Sequence, residues 1–230
     1  MYKLDYKVVA CNTLKDEINM VISDLDLNIN IYWVDSGLHN YPDKLNNKIQ
    51  EKIDQVKDTD NILLLFGYCG RSIEGIKANN SRIIFPAVDD CISLFLNGIE
   101  PKEKLQENAP AYYFTRGYLE NEYNIWNEYK YSIDKFGKER SKKLMKRMFK
   151  NYKLIRVINT KAYDIKKIIP KTKMIAEEFD LDHKIIEGDL SILYEAFQQN
   201  WENNFIIKNR GEKINLNDLG FDINMSNCSY

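Results

Sequence analysis

An α/β fold with a mostly parallel sheet flanked by helices is the architecture this sequence predicts, on three observations. Short apolar runs at residues 7–10, 29–34, 61–66 and 83–86 alternate with segments whose apolar residues recur at helical spacing. The run at 61–66 has no polar residue after Asn61, which suits a strand buried on both faces. Each run gives way to turn and capping residues, the punctuation of strand–helix–strand units. The same strand-then-helix order returns in the C-terminal half. Two α/β lobes with a cleft between them are therefore expected, divided as residues 1–120 and 121–230.

Residues 7–10 form the first expected strand, stopped by Cys11-Asn12-Thr13, where Asn12 or Thr13 caps a helix. Leu14, Ile18, Val21, Ile22 and Leu25 mark that helix's apolar stripe. The second strand, 29–34, runs into the loop Asp35–His39, and Pro42 suits the first turn of the next helix. Leu45, Ile49, Ile53 and Val56 are its buried stripe. The third strand, 61–66, ends in Gly67-Tyr68-Cys69-Gly70-Arg71-Ser72, and the fourth, 83–86, in Asp89-Asp90-Cys91. Residues 92–96 read as a helical turn closed by Asn97-Gly98. Further strands are expected at 111–115, 154–158, 184–186 and 205–207. Helices are expected at 121–149 with a break at Gly137, at 165–179 with Pro170 as a boundary, and at 190–199.

With 230 residues, 44% hydrophobic and 29% charged, the chain has the composition of a globular protein with a real core. A formal net charge of -1 gives no basic excess, so no nucleic-acid partner is expected. The basic run 138–148 carries apolar residues at helical spacing and reads as a solvated helix face. No stretch approaches the ~20 apolar residues of a membrane span, and the first residues lack a signal-peptide layout. A cytoplasmic protein with no membrane partner is expected. There its four cysteines stay reduced and serve as core residues, metal ligands or nucleophiles.

The first four strands all lead into chemistry-bearing side chains. Strand one gives Cys11, strand two leads to His39, strand three gives Cys69, and strand four gives Asp89, Asp90 and Cys91. Ligands of open parallel sheets bind at the carboxyl ends of the strands, and adjacent strands stand ~5 Å apart. These residues are therefore expected on one rim. A bland alternative stands beside this: a single cysteine is often a small buried hydrophobe, and Cys228, in a polar tail, reads as incidental. Two chemistries fit the rim. In one, Cys11, Cys69 and Cys91 with His39 or Asp89 hold zinc or iron. In the other, cysteines act as nucleophile or as acid and base, favoured where Cys11 and Cys91 precede a helix start. Cys69, Cys91, Tyr68 and Asp90 are the candidate catalytic groups. Gly67 and Gly70 offer an anion cradle, and Arg71, Arg116 and Lys77 offer charge for a substrate.

Together, Ala10-Cys11, Gly37-Leu38-His39 with Pro42–Leu45, Gly67–Gly70, Asp90–Ile92 with Leu94–Leu96, and Tyr112–Thr115 with Gly117 resemble the DUF1638 family. The resemblance spans nearly the whole chain and is densest over residues 5–120. The family is one of unknown function. Its members are often met in anaerobes near genes for corrinoid-dependent methyltransferases, which implies a part in methyl-group or one-carbon metabolism. Related sequences tend to have Gly-His-Asp-Cys where this chain has Val88–Cys91. Asp89 thus replaces a histidine and becomes an oxygen ligand or no ligand. Ala10–Thr13 also looks like the cysteine loop of aspartate/glutamate racemases, which offers a cofactor-free cysteine mechanism as an alternative.

The expectation drawn from all this is a thiolate-ligated metal enzyme, or enzyme component, acting on a small thiol, amine or methylated substrate. The competing expectation is a non-catalytic protein that handles a metal or corrinoid for a corrinoid protein or methyltransferase. A concave cleft with perturbed side chains favours the first, and a flat apolar rim favours the second.

Overall fold

The computed structural model describes residues 6–38 and 41–219; His39 and Cys228 lie outside them. β1 (Tyr6–Cys11), β2 (Ile31–Val34), β3 (Asn61–Leu65) and β4 (Arg82–Pro86) form one sheet in the order β2-β1-β3-β4. All three pairings are parallel, with Val8 opposite Ile31 and Leu63, and Leu63 opposite Ile84. Every residue of β3 is buried, as its unbroken apolar run requires of a central strand. α1 (Lys15–Asp24) and α2 (Pro42–Gln55) cover this sheet through the expected stripes, including Ile18, Val21, Leu45, Ile49 and Ile53. Each large apolar side chain so buried contributes roughly 1.5–3 kcal/mol. Pro42 stands in the first turn of α2, where its missing N–H costs no hydrogen bond.

α3 (Ile99–Asn108) leads to a second sheet, in which β5 (Ala111–Phe114), β6 (Leu154–Asn159) and β7 (Asp182–Glu187) run parallel in sequence order. Alternation along β5 and β6 gives this sheet two apolar faces. Ala111, Tyr113, Leu154 and Ile158 join the core of the first sheet. Phe114, Ile155 and Val157 join a second core with Tyr129, Phe149 and Phe179, where the rings of Phe149 and Phe179 stack at 4.9 Å. That core is closed by α4 (Arg116–Glu120), α5 (Ile125–Phe136), α6 (Lys138–Met148) and α7 (Ile169–Glu178). Gly137, at φ 79°, breaks α5 from α6 as expected. In α6, Ser141 and Met145 face inward and most of the cations outward.

After α8 (Ser191–Phe197), β8 (Phe205–Lys208) returns to the first sheet and pairs antiparallel with β4. The sheets therefore do not divide at residue 120. β5 precedes that point yet belongs to the second sheet, and β8 lies far beyond it yet belongs to the first. Pairing is decided by which apolar faces meet, and position along the chain does not fix it. Among the described residues no helix is long and apolar enough to cross a membrane.

Candidate functional site

β1 delivers Cys11 as its last residue, fully buried, with Sγ 3.0 Å from Thr13 Oγ1. Beyond β3 the chain turns through Cys69, Gly70 and Arg71, all at positive φ (44°, 64° and 77°). A cysteine in the left-handed region is uncommon and is held there by its surroundings. The backbone N–H groups of Tyr68 and Cys69 donate to Val88 O (3.0 Å) and Asp89 O (2.8 Å), which carries the β3–β4 pairing past the strand ends. Gly67 permits this approach, since a Cβ there would overlap the backbone of Asp90. The result sets Cys69 Sγ 3.9 Å from Cys91 Sγ, and Cys91 is hydrogen-bonded in turn to Cys11.

The bond from Cys11 draws the Cys91 thiol toward ionisation, but Cys69 beside it and complete burial outweigh that and hold its pKa well above the usual value. Tyr118 of α4 lies against this group. Burial, then Cys91, Cys69, Asp90 and Cys11, lift its hydroxyl well above the ordinary tyrosine range. α4 reaches the sulfurs because Gly117 packs directly on Thr13, where a Cβ would overlap the Thr13 carbonyl.

Asp89 and Asp90 face a residue that the sequence reading missed. Lys102 Nζ of α3 lies 2.5 Å from Asp89 Oδ2 and 2.7 Å from Asp90 Oδ2. Ser93 Oγ donates to Asp89 (2.5 Å), and the backbone N–H groups of Ile92 and Ser93 donate to Asp90 Oδ1 (2.9 and 3.1 Å). Burial pushes the Asp90 carboxyl up in spite of Lys102. Burial works against the Lys102 ammonium, but the two carboxylates together raise it.

These groups wall a cavity of about 230 Å³. Cys69, Asp90 and Lys102 stand on its wall with Gly70, Gln106 and the tyrosines Tyr112, Tyr113, Tyr118, Tyr123 and Tyr152. Behind Tyr113 the buried Arg156 donates from Nη1 to the Tyr113 hydroxyl (3.0 Å). Cys69, Cys91, Cys11, Asp90, Asp89 and Gly70 thus gather in one place, and Gly67 shapes it. Other candidates stand apart. Tyr68 packs in the first core, its hydroxyl pushed up to about 12 by burial and by Glu74. Arg71 is exposed and paired with Glu74 at 2.5 Å. Arg116 Nε donates to Asp16 (2.6 Å), with its guanidinium over the Tyr163 ring. Among the described residues, no group of three or more His, Cys, Asp or Glu is arranged to hold a metal ion. Lys102 was hidden because a lysine within α3 reads as solvated, and only the fold turns it toward the strand-four loop.

Residues 33–197 match the family described as a protein of unknown function, DUF1638. The chain belongs to the DUF1638 family. No curated relative and no solved structure matches it. The DUF1638 match takes in Cys69, Asp89, Asp90, Cys91, Lys102 and all the cavity tyrosines, while Cys11 falls before it.

Proposed function

We propose that this DUF1638 protein is an enzyme acting on a small molecule in the tyrosine-walled cavity, with the Cys69 thiol as its working group. The observation behind the reading is that Cys69 opens to the cavity while Cys91 Sγ stands 3.9 Å behind it. At about 230 Å³ the space lies below the range for drug-sized ligands, so the substrate is a small metabolite. A small thiol, amine or methylated compound of one-carbon metabolism suits that size. Asp90 and Tyr118 reach the same space and are the proton carriers of this reading, with Lys102 holding Asp90 in position. A concave cavity whose mostly apolar wall carries a few placed polar groups, Asp90 and Lys102 among them, favours an enzyme over a flat docking partner for a methyltransferase. The test is protection. Small thiols, amines and methylated compounds are screened for ligands that raise the Tm and slow alkylation of Cys69, mapped by mass spectrometry. A ligand at a hundred times its Kd stabilises by about 2.7 kcal/mol. If Cys69 alkylates only on unfolding and no ligand protects it, the proposal falls.

A second reading is a thiolate-held zinc or iron ion. A tetrahedral shell with bonds near 2.3 Å spaces its sulfurs by about 3.8 Å, close to the 3.9 Å between Cys69 and Cys91. Cys11 would be the third ligand, with His39, a released Asp89 or the substrate as the fourth. A corrinoid would reach such a site through a partner protein. Zinc, iron and cobalt measured per chain under anaerobic conditions, in native protein and in each Cys→Ser variant, decide between the readings. About one metal per chain, lost in all three variants, establishes the metal site.

A further inference from the structure

We infer that Cys69 and Cys91 form a two-electron dithiol–disulfide couple, in which Cys69 attacks a small organic disulfide in the cavity and Cys91 resolves it. This rests on reading Cys69 as the working thiol and goes beyond it by naming the reaction and its co-reactant.

Three observations carry the inference. The first is distance. A disulfide needs its sulfurs near 2.05 Å, and these stand 3.9 Å apart, so each closes by about 1 Å while the loops stay paired. The 2.8 Å bond from Cys69 N to Asp89 O and the seat of Gly67 on Asp90 keep the two loops side by side. The second is access. Cys69 is 7% exposed and lines the cavity, whereas Cys91 is at 0% and does not line it. An incoming disulfide therefore meets Cys69 first, which fixes the order of attack and resolution. The third is the row of thiols. Cys11, next to Cys91 and 3.0 Å from Thr13 Oγ1, is fully buried and does not line the cavity.

The chemistry balances in two steps. The Cys69 thiolate attacks one sulfur of R–S–S–R; the S–S bond breaks, and R–S⁻ leaves and takes up the proton that Cys69 released. The Cys91 thiolate then attacks the Cys69 sulfur of the mixed disulfide and expels the second R–S⁻, which takes up the proton from Cys91. The substrate disulfide is reduced to two thiols, and the protein dithiol is oxidised to one disulfide.

The test treats the reduced, full-length protein with bis(2-hydroxyethyl) disulfide, follows released thiol, and maps the products by peptide mass. Wild-type protein is expected to release both halves of the probe and to yield a peptide joining Cys69 to Cys91. Cys91→Ser is expected to release one half and to stop with the other on Cys69. Cys69→Ser is expected to lose the reaction, and Cys11→Ser to keep the Cys69–Cys91 product. Wild-type protein needs no variant to fold, so a mixed disulfide that persists on it, or a Cys11–Cys91 product, overturns the couple. So does a metal held on these sulfurs in the native protein with no disulfide formed. If a cavity ligand protects Cys69 from alkylation but no Cys69–Cys91 bond forms, only this inference falls. If Cys69 reacts with neither reagent, the working-thiol reading falls with it.

Discussion

At or just beyond the carboxyl ends of β1, β3 and β4 stand Cys11, Cys69 and Cys91, whereas the strands of the second sheet lead into Thr115, Asn159 with Thr160, and Glu187. The polar set is occupied with structure. Thr115 caps α4 by accepting from Tyr118 N, Asn159 donates to Glu187 (3.1 Å), and Thr160 donates to Glu17 (2.8 Å). The sulfurs cap nothing by side-chain hydrogen bonds, and Cys69 meets the cavity. Two sheets of like construction thus divide the labour. The first brings a sulfur and a carboxylate, Cys69 and Asp90, to the cavity, and the second supplies tyrosine walls through β5 and α4.

Perturbing the charges tests this division most severely. Lys102→Met leaves Asp89 and Asp90 facing each other without their cation. The loss expected at pH 7 is about 3–5 kcal/mol, read by urea denaturation, and it should shrink as pH falls and Asp90 protonates. An unchanged midpoint would mean that the cavity's charges are not coupled to the fold.

Glu17, on the side of α1 that meets the second sheet, provides the next effect. Burial lifts its pKa from 4.5 to about 7, against the Thr160 bond and Arg116. A folded-state pKa raised in this way gives stability that is present below pH 4.5 and is lost as pH rises through 7. Wild-type protein should therefore lose stability between pH 5 and 8. Glu17→Gln should lack that loss and be up to about 3 kcal/mol more stable at pH 8. Parallel pH profiles for the two proteins would refute the assignment.

Glycines sharpen the same contrast. A Cβ at Gly67 strikes the Asp90 backbone, whereas one at Gly188 first meets the Ile158 side chain at 2.9 Å. Gly67→Ala should cost about 2–3 kcal/mol and Gly188→Ala about 1 kcal/mol, with only the former altering alkylation of Cys69. The smallest effect belongs to Lys142→Ala at the partly exposed pair with Glu178, expected within about 0.5 kcal/mol. A loss there like that of Lys102→Met would erase the distinction between cavity and surface.

Residues 61–66 announced a central strand because a short, unbroken apolar run bounded by polar residues suits a strand covered on both faces. Val8, Ile31, Leu64 and Ile84 lie on mutually parallel strands of one sheet, as the strand–helix rhythm required. Partner choice was illegible. Residues 205–208 look the same whether they pair in a separate lobe or, as they do, with β4. The strand-end positions of Cys11, Cys69 and Cys91 could be read from local pattern. The cavity walls could not, since the facing of Tyr113, Tyr118 and Lys102 depends on how the second sheet lies against the first.

The late arrival of β8 has a consequence during synthesis. Among the described residues β8 is the strand that pairs with the outer edge of β4, whose Ile83, Ile84 and Phe85 are buried and apolar. Roughly 120 residues separate the two strands, and at about 5–20 residues per second they emerge about 6–24 s apart. For that interval the nascent chain carries an open, hydrophobic strand edge able to pair with any other extended segment. Shielding by a ribosome-bound chaperone would protect the chain until Phe205–Lys208 closes the edge.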